Sequence, residues 1–223
     1  MKTNHCFAYY IGITALLVSA LVLHAADKPA GQDFKEIQAK AVKGEAAAQQ
    51  ALGICYAYGK GVAKNAVEAA KWYRKAAEQG NADAQYSLGW CYQNSEGVAG
   101  GTIEAVKWYR KAAEQGNILA QYSLGWCCQK GAGMAKDPVE AVKWYGKAAE
   151  QGHADAQYSL ALYYSQGAAK NYVEAYKWAV LAGAQGYEDA RKLRDDMEPR
   201  MKPDQITEAR RLADAIKSHL SSP

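Results

Sequence analysis

One segment that recurs at an almost constant spacing constrains the fold of this chain more than any other feature. The segment KWYRKAAEQGN, residues 71–81, returns letter for letter at residues 107–117 and with two changes at residues 143–153. A fourth, looser copy occupies residues 177–186, so the successive tryptophans are 36, 36 and 34 residues apart. A period of this length is typical of arrays in which each short unit buries its apolar surface against its neighbours.

Each unit is predicted to begin with a helix, called helix A, that carries an Ala-Gln-x-x-Leu-Gly-like core. Ala84, Leu88 and Tyr92 are spaced by four residues and therefore share one helical face. Gly89 and Gly125 fall in the middle of this helix, where Gly costs about 1 kcal/mol relative to Ala. A glycine repeated at that cost indicates that a neighbouring helix approaches closely.

A second helix, called helix B, is predicted after a glycine-containing turn in each unit. Asn65, Asp137 and Asn171 each precede a glutamate by three residues. This capping-box pattern predicts that side chain and backbone cap each other reciprocally. The second unit has Gly101 at the same position, so its cap is expected to be the weakest. Helix B is expected to stop at a glycine in every unit: Gly80, Gly116, Gly152 and Gly186.

Two helices per unit make the expected fold all-α, with caps at both ends of the array. Residues 27–44 are expected to form a linker and an N-terminal capping half-repeat, whose helix is capped by Asp33. Residues 187–223 are expected to form C-terminal capping helices, at 188–196 and 203–220, with a polar outer face that keeps the end of the stack soluble. The four full units are expected at 45–80, 81–116, 117–152 and 153–186.

The first 26 residues have the composition of a secretory signal. Lys2 supplies a positive start, residues 6–23 form an uncharged apolar run, and two alanines end the segment at Ala26. The run of 18 residues is near the lower limit for a membrane-spanning helix, so an uncleaved anchor is the alternative. Either form predicts that the repeats lie outside the cytoplasm, in the periplasm or secreted.

The residues of the unit identify a family resemblance. The pattern AxxxLG–Y–GxGV–K[DN]xxEAxKWYRKAAEQG resembles the Sel1-like repeat, a relative of the tetratricopeptide repeat, over about residues 45–215. The resemblance implies a right-handed α-solenoid. It also implies an adaptor that binds another protein or a peptide. This functional expectation rests on the similarity of the fold and not on an identified binding site.

Related helical repeats grip their ligands on the concave face of the A helices, and the resemblance transfers that face to this chain. Tyr86 with Trp90, and Tyr122 with Trp126, would form an aromatic lane flanked by amides. The alternative is that these rings only fill gaps between neighbouring helices. Trp72, Trp108 and Trp144 of the B helices are expected in the core. The candidate binding residues, called the A-helix face, are Asp83, Tyr86, Trp90, Gln93, Asn94, Tyr122, Trp126, Gln129, Lys130, Asp155, Tyr158 and Leu162, with Leu119 and Ser165 on the same pattern.

The charge pattern does not favour nucleic acid as a partner. The net charge is +4, and acidic and basic residues alternate along the helices without a basic block. This alternation is typical of solvated helical faces. A membrane contact is expected only through the N-terminal segment, if that segment is retained.

The cysteines are predicted to be buried thiols. Cys55, Cys91 and Cys127 occupy one helical position in successive units, and Cys128 follows directly. Packed helices are about 8–10 Å apart, whereas a disulfide needs Cα atoms within roughly 7 Å, so bridges between equivalent cysteines are not expected. A cysteine-rich subgroup of the family, associated with penicillin binding and hydrolysis, carries paired cysteines in each repeat. This chain lacks the second cysteine.

No motif in the sequence predicts catalysis, a cofactor or a metal site. Ser-x-x-Lys, Lys-Thr-Gly, Gly-x-Ser-x-Gly, His-Glu-x-x-His and the phosphate-binding Gly-x-x-x-x-Gly-Lys pattern are all absent. His153 stands where earlier units have Asn81 and Asn117, which favours a structural role. A weak enzyme or penicillin-binding protein acting on the cell wall, and a purely structural spacer, are the alternatives to an adaptor.

Overall fold

The computed structural model describes residues 30–166 and 171–221, so the predicted signal segment at residues 1–26 lies outside the described residues. None of the helices in the described part is long and apolar enough to span a membrane. A short 3₁₀ turn, Glu198–Arg200, separates the last two helices. The α-helices of the described part are α1 Ala30–Val42, α2 Ala46–Tyr58, α3 Ala66–Glu78, α4 Ala82–Asn94, α5 Thr102–Glu114, α6 Ile118–Lys130, α7 Pro138–Glu150, α8 Ala154–Ser165, α9 Tyr172–Ala184, α10 Glu188–Met197 and α11 Pro203–Ser221.

The helices form one continuous stack. Helices α2, α4, α6 and α8 are the A helices, and α3, α5, α7 and α9 are the B helices of the same four units. Each A helix packs on its own B helix, and each B helix packs on the A helix of the next unit. Helix α1 covers α2 at one end, while α10 and α11 cover α9 at the other. The prediction of an all-α solenoid is confirmed.

The glycine in the middle of helix A is where helix B approaches most closely. A Cβ atom on Gly89 would lie 2.8 Å from the ring of Tyr109, and Gly125 is equally close to Tyr145. The expectation of close approach is therefore confirmed. The fourth unit has Ala161 in place of the glycine and Ala179 in place of the tyrosine, and both are buried. The larger residue on helix A is therefore matched by a smaller residue on helix B.

The caps of the B helices are only partly as predicted. The Asn65 side chain accepts hydrogen bonds from two backbone N–H groups of the first turn, including that of Glu68. The prediction that Glu68 caps the Asn65 N–H in return is wrong. The Asn65 N–H donates to the carbonyl of Tyr56 at 2.8 Å, and the Glu68 carboxylate binds Lys71 at 2.7 Å. Gly101 supplies no side-chain cap, as expected.

The two ends of the stack differ in how well their helices were predicted. Helix α1 begins at Ala30, so Asp33 lies within its first turn and is not its cap. Helices α10 and α11 agree with the predicted segments to within one residue. Ala209 and Ala213 are the residues that α11 buries against the stack.

Buried glutamines connect successive units through a repeating set of hydrogen bonds, called the glutamine ladder. The Gln85 amide donates to the carbonyl of Ala77 at 3.1 Å, at the end of the preceding B helix. The oxygen of Gln85 accepts from Gln115 at 2.7 Å, at the end of the following B helix. Both polar ends of the buried amide therefore have partners. The ladder consists of the pairs Gln49–Gln79, Gln85–Gln115, Gln121–Gln151 and Gln157–Gln185.

Replacing Gln121 by Leu should lower the free energy of unfolding by about 1–3 kcal/mol, because two buried hydrogen bonds are lost, one to the Ala113 carbonyl and one from the Gln151 amide, each worth about 0.5–1.5 kcal/mol. Urea denaturation followed by circular dichroism measures the change. Gln38→Leu makes the same substitution at an exposed position and should change stability by less than about 0.5 kcal/mol. Equal effects at the two positions would contradict a stabilising ladder.

Two mid-helix glycines should respond to alanine with opposite signs. Gly89→Ala should destabilise by about 1–3 kcal/mol, since the new Cβ would overlap the Tyr109 ring. Gly146→Ala in α7 should stabilise by up to about 1 kcal/mol, because nothing lies within 4 Å of the new Cβ and Ala is the better helix former. Thermal melts of both variants test the contrast. A stabilising Gly89→Ala would show that the Tyr109 ring can move aside.

Candidate protein-binding faces

The tyrosines of the A-helix face belong to the packing between helices. Tyr86 is only 7% exposed, and its ring centre lies 5.8 Å from that of Tyr109 on the following B helix. Tyr122 is half-buried, and its ring centre lies 5.5 Å from that of Tyr145. The expectation of an exposed ring is wrong for Tyr86. For this residue the gap-filling alternative is the better description.

The acidic residues of the A-helix face link one unit to the next. Asp83 is exposed and accepts a hydrogen bond of 2.8 Å from Asn117, the first residue of the following unit. Asp155 accepts one of 2.8 Å from the hydroxyl of Tyr187, and the Tyr187 ring lies 4.9 Å from that of Tyr158. Both carboxylates therefore have internal partners as well as access to solvent.

The amides of this face are fixed by hydrogen bonds within the stack. Gln93 accepts from the hydroxyl of Tyr109 at 2.7 Å, and Gln129 accepts from that of Tyr145 at 3.1 Å. Asn94 donates at 2.9 Å to the carbonyl four residues earlier in its own helix. The face around the two tryptophans is consequently held in one conformation.

Trp90 and Trp126 are the tryptophans of the A-helix face, and like Tyr122 and Tyr158 they keep part of their surface in solvent. Both are half-buried, at equivalent positions of α4 and α6. Leu162 is half-buried at the corresponding position of α8, and Lys130 is exposed at the end of α6. The structure thus removes Tyr86 from the predicted aromatic lane and leaves Trp90, Tyr122 and Trp126 half-buried in successive units.

His153 is part of the fold, as its position in the sequence predicts. Its Nδ1 accepts a hydrogen bond of 3.3 Å from the N–H of Ala156, which caps α8, and its ring stacks on Tyr122 at 4.6 Å. Burial lowers the pKa of His153, and the Asp155 carboxylate at 3.9 Å opposes this shift. Because Nδ1 must be unprotonated to accept the bond, the neutral imidazole is the form that caps the helix.

Acid should destabilise the chain through His153. With a folded-state pKa below the ordinary 6.5, the unfolded chain binds the proton first, so the free energy of unfolding falls as pH decreases through about 6.5. The slope is at most about 1.4 kcal/mol per pH unit. His153→Asn restores the cap used by the earlier units and should remove this part of the pH dependence. Urea midpoints at several pH values measure it, and identical profiles for both proteins would refute the assignment.

The cysteines lie in the core, as predicted. Cys55, Cys91, Cys127 and Cys128 are buried free thiols in the described part of the chain. Burial raises the pKa of Cys91 and Cys127 to about 12 and that of Cys128 to about 11. A reactive cysteine needs a lowered pKa, so these thiols have the opposite property. In residues 30–166 and 171–221, no group of three or more His, Cys, Asp or Glu converges to hold a metal ion.

The outward side of the B helices holds residues that the sequence interpretation assigned to the core. Trp72 and Trp108 are half-buried, so their assignment to the core is wrong in part, whereas Trp144 is buried. Each ring carries a lysine, three residues later, over its face. This surface, called the B-helix face, also exposes one large aliphatic residue in each of the first three units: Val67 at 50%, Ile103 at 63% and Val139 at 58%. Their spacing of 36 residues was the available signal.

Comparison with known families decides the relationship of this chain. The Sel1 repeat profile matches residues 46–81, 82–117, 118–153 and 154–187. The chain belongs to the Sel1 repeat family. Sel1 repeat proteins are generally scaffolds for protein–protein interaction and are typically not enzymes. No curated protein gives a significant match.

Solved Sel1 repeat structures resemble the chain closely. A protective antigen from uropathogenic Escherichia coli with an SLR fold is 35% identical to this chain, with a TM-score of 0.73. The matched region covers 84% of this chain and 43% of the antigen. This chain therefore spans less than half of that protein. A Sel1 repeat protein from Oxalobacter formigenes is 35% identical with a TM-score of 0.71, and the match covers 81% of this chain and 74% of that protein. The immunity protein PA5088 from Pseudomonas aeruginosa is 22% identical at 0.51, covering 94% and 83%, and shows the fold alone.

Proposed function

We propose that this Sel1 repeat chain is an extracytoplasmic scaffold that holds another protein or a peptide on the A-helix face. The observation that carries the proposal is the pair of half-buried indoles, Trp90 and Trp126, at equivalent positions of successive units. Tryptophan is among the residues that contribute most to binding energy at interfaces. The N-terminal apolar segment of the sequence supports a periplasmic or secreted location.

The surroundings of the two indoles favour binding over catalysis. Gln93 and Gln129 are hydrogen-bonded to buried tyrosines, so the surface beneath the indoles is already ordered before a partner arrives. A preordered surface lowers the entropic cost of association. The nearby thiols of Cys91 and Cys127 are buried and have raised pKa values, which does not suit a nucleophile.

The double substitution Trp90→Ala with Trp126→Ala should abolish partner capture while leaving the helical circular dichroism intact. Loss of two anchoring indoles at about 2 kcal/mol each would weaken binding roughly a thousandfold. The measurement is a pull-down from the native envelope or culture fraction with the intact protein and the variant. Tyr86 and Tyr122 are left unchanged, because they pack between helices.

The matched control is Trp72→Ala with Trp108→Ala, which removes two half-buried indoles from the B-helix face of successive units. This control should still capture every protein that the Trp90 and Trp126 double variant loses. Loss of capture by the control alone would move the binding site to the B helices. If none of the three proteins captures a partner, the spacer alternative replaces the scaffold.

A further inference from the structure

The B-helix face repeats one cation–aromatic pair in each of the first three units. The ammonium of Lys75 lies 4.0 Å from the centre of the Trp72 ring, and the equivalent distances are 4.3 Å for Lys111 and 4.1 Å for Lys147. A cation over an indole face is attracted by the quadrupole of the ring. The pair therefore holds one lysine per unit at a fixed position along the stack.

These lysines form no ion pair with any residue of the described ranges 30–166 and 171–221, in contrast to their neighbours. Lys71, one turn earlier on α3, binds Glu68 at 2.7 Å. Glu78, three residues after Lys75, is exposed and is not paired with it. The row of three ammonium groups thus presents positive charge that no carboxylate of the described chain neutralises by contact.

Grooves lined by both apolar and charged residues lie beside this row of lysines. The first groove, of about 550 Å³, is lined by Trp72, Val67 and Val98 together with the carboxylates of Glu68 and Glu78. The second groove, of about 430 Å³, is lined by Trp144 and Val139 together with Asp137 and Glu140. Glu68 is paired with Lys71, Glu140 with Arg110, and Asp137 caps α7, so three of these four carboxylates already have partners within the stack. Val67 and Val139 keep 50% and 58% of their surface in solvent. Each groove therefore combines aliphatic and aromatic surface with a lysine of the row and with two carboxylates.

The fourth unit shows what the same face looks like when the chain covers it. Helix α11 packs along α9, and Trp178 is only 4% exposed. Leu181, at the position of Lys75, is 3% exposed and shares one hydrophobic cluster with Ala209 and Ala213 of α11. Where the buried alanines of α11 cover this face, the position of the lysine is occupied by leucine. The lysines retained in the first three units fit an occupant that carries negative charge.

We propose that the B-helix face of the first three units is a second docking surface, which takes an acidic segment of another protein. Aspartate and glutamate side chains of that segment bind Lys75, Lys111 and Lys147, and aliphatic or aromatic side chains between them fill the grooves beside the tryptophans. The inference rests on the scaffold function but not on the A-helix face. A partner of this kind is recognised by the alternation of acidic and apolar residues.

The test is the affinity of the full chain for a fluorescent twelve-residue peptide that repeats Asp-Leu-Glu-Ile, measured by anisotropy. Reversing the three charges of the row should weaken binding about tenfold, since each exposed ion pair contributes modestly and three are lost. A peptide with Asn and Gln in place of Asp and Glu should bind the intact chain about tenfold more weakly. Added salt should weaken only the acidic peptide. The variant combines Lys75→Glu, Lys111→Glu and Lys147→Glu.

A control with the same net charge removes exposed lysines elsewhere and should bind the acidic peptide within twofold of the intact chain. Circular dichroism should be unchanged in both variants, because all six positions are exposed. Trp90→Ala with Trp126→Ala should also leave peptide binding unchanged, which separates this surface from the A-helix face. Failure of the intact chain to bind, or equal binding by both triple variants or by both peptides, would overturn the proposal. The control combines Lys35→Glu, Lys64→Glu and Lys202→Glu.

Discussion

The buried glutamine amides impose the geometric condition that the rest of the stack has to meet. Gln121 has one partner at the end of the preceding B helix and another at the end of the following one. Losing either would leave a polar atom buried without a partner, at a cost of about 1–3 kcal/mol. Burial of alanine and leucine is not directional, whereas these hydrogen bonds are satisfied in one register only. The ladder therefore fixes how each A helix sits between its two B helices, and the apolar residues pack within that arrangement.

Steric fit supplies a second condition that acts within each unit. Gly89 leaves the space that the Tyr109 ring occupies, while the fourth unit uses two alanines at the corresponding positions. The same complementarity extends to the edge of the stack, where Leu181 is buried beneath α11 and Lys75 remains in water. A single repeat pattern thus accommodates three kinds of neighbour, namely another unit, a terminal helix and solvent.

Local features of the fold could be predicted from the sequence, whereas the partners that side chains and backbone groups find on neighbouring helices could not. The period, the helix ends and the cap at Asn65 depend on residues a few positions apart. The reciprocal cap failed because the Asn65 N–H finds its partner in the preceding helix, at Tyr56. Tyr86 and Trp90 share a helical stripe, yet only the position of the next B helix decides that one is buried and the other half-exposed. The lysine–tryptophan pairs were missed for a similar reason, since spacing alone does not say whether Lys75 turns toward Trp72 or toward Glu78.

The range of each ladder contact also governs how a chain of this kind can change in length. Every rung joins a glutamine to a residue 8 positions before it and to one 28 or 30 positions after it, so no rung reaches beyond the adjoining unit. A duplicated copy of residues 81–116 placed after residue 116 would find the same hydrogen-bond donors and acceptors in the units on both sides. Growth by whole units therefore needs no new side chains, and the fourth unit, which is two residues shorter, still forms its rung over 28 positions. The last unit is the exception, because its Leu181 is buried in one cluster with Ala209 and Ala213 of the terminal helix.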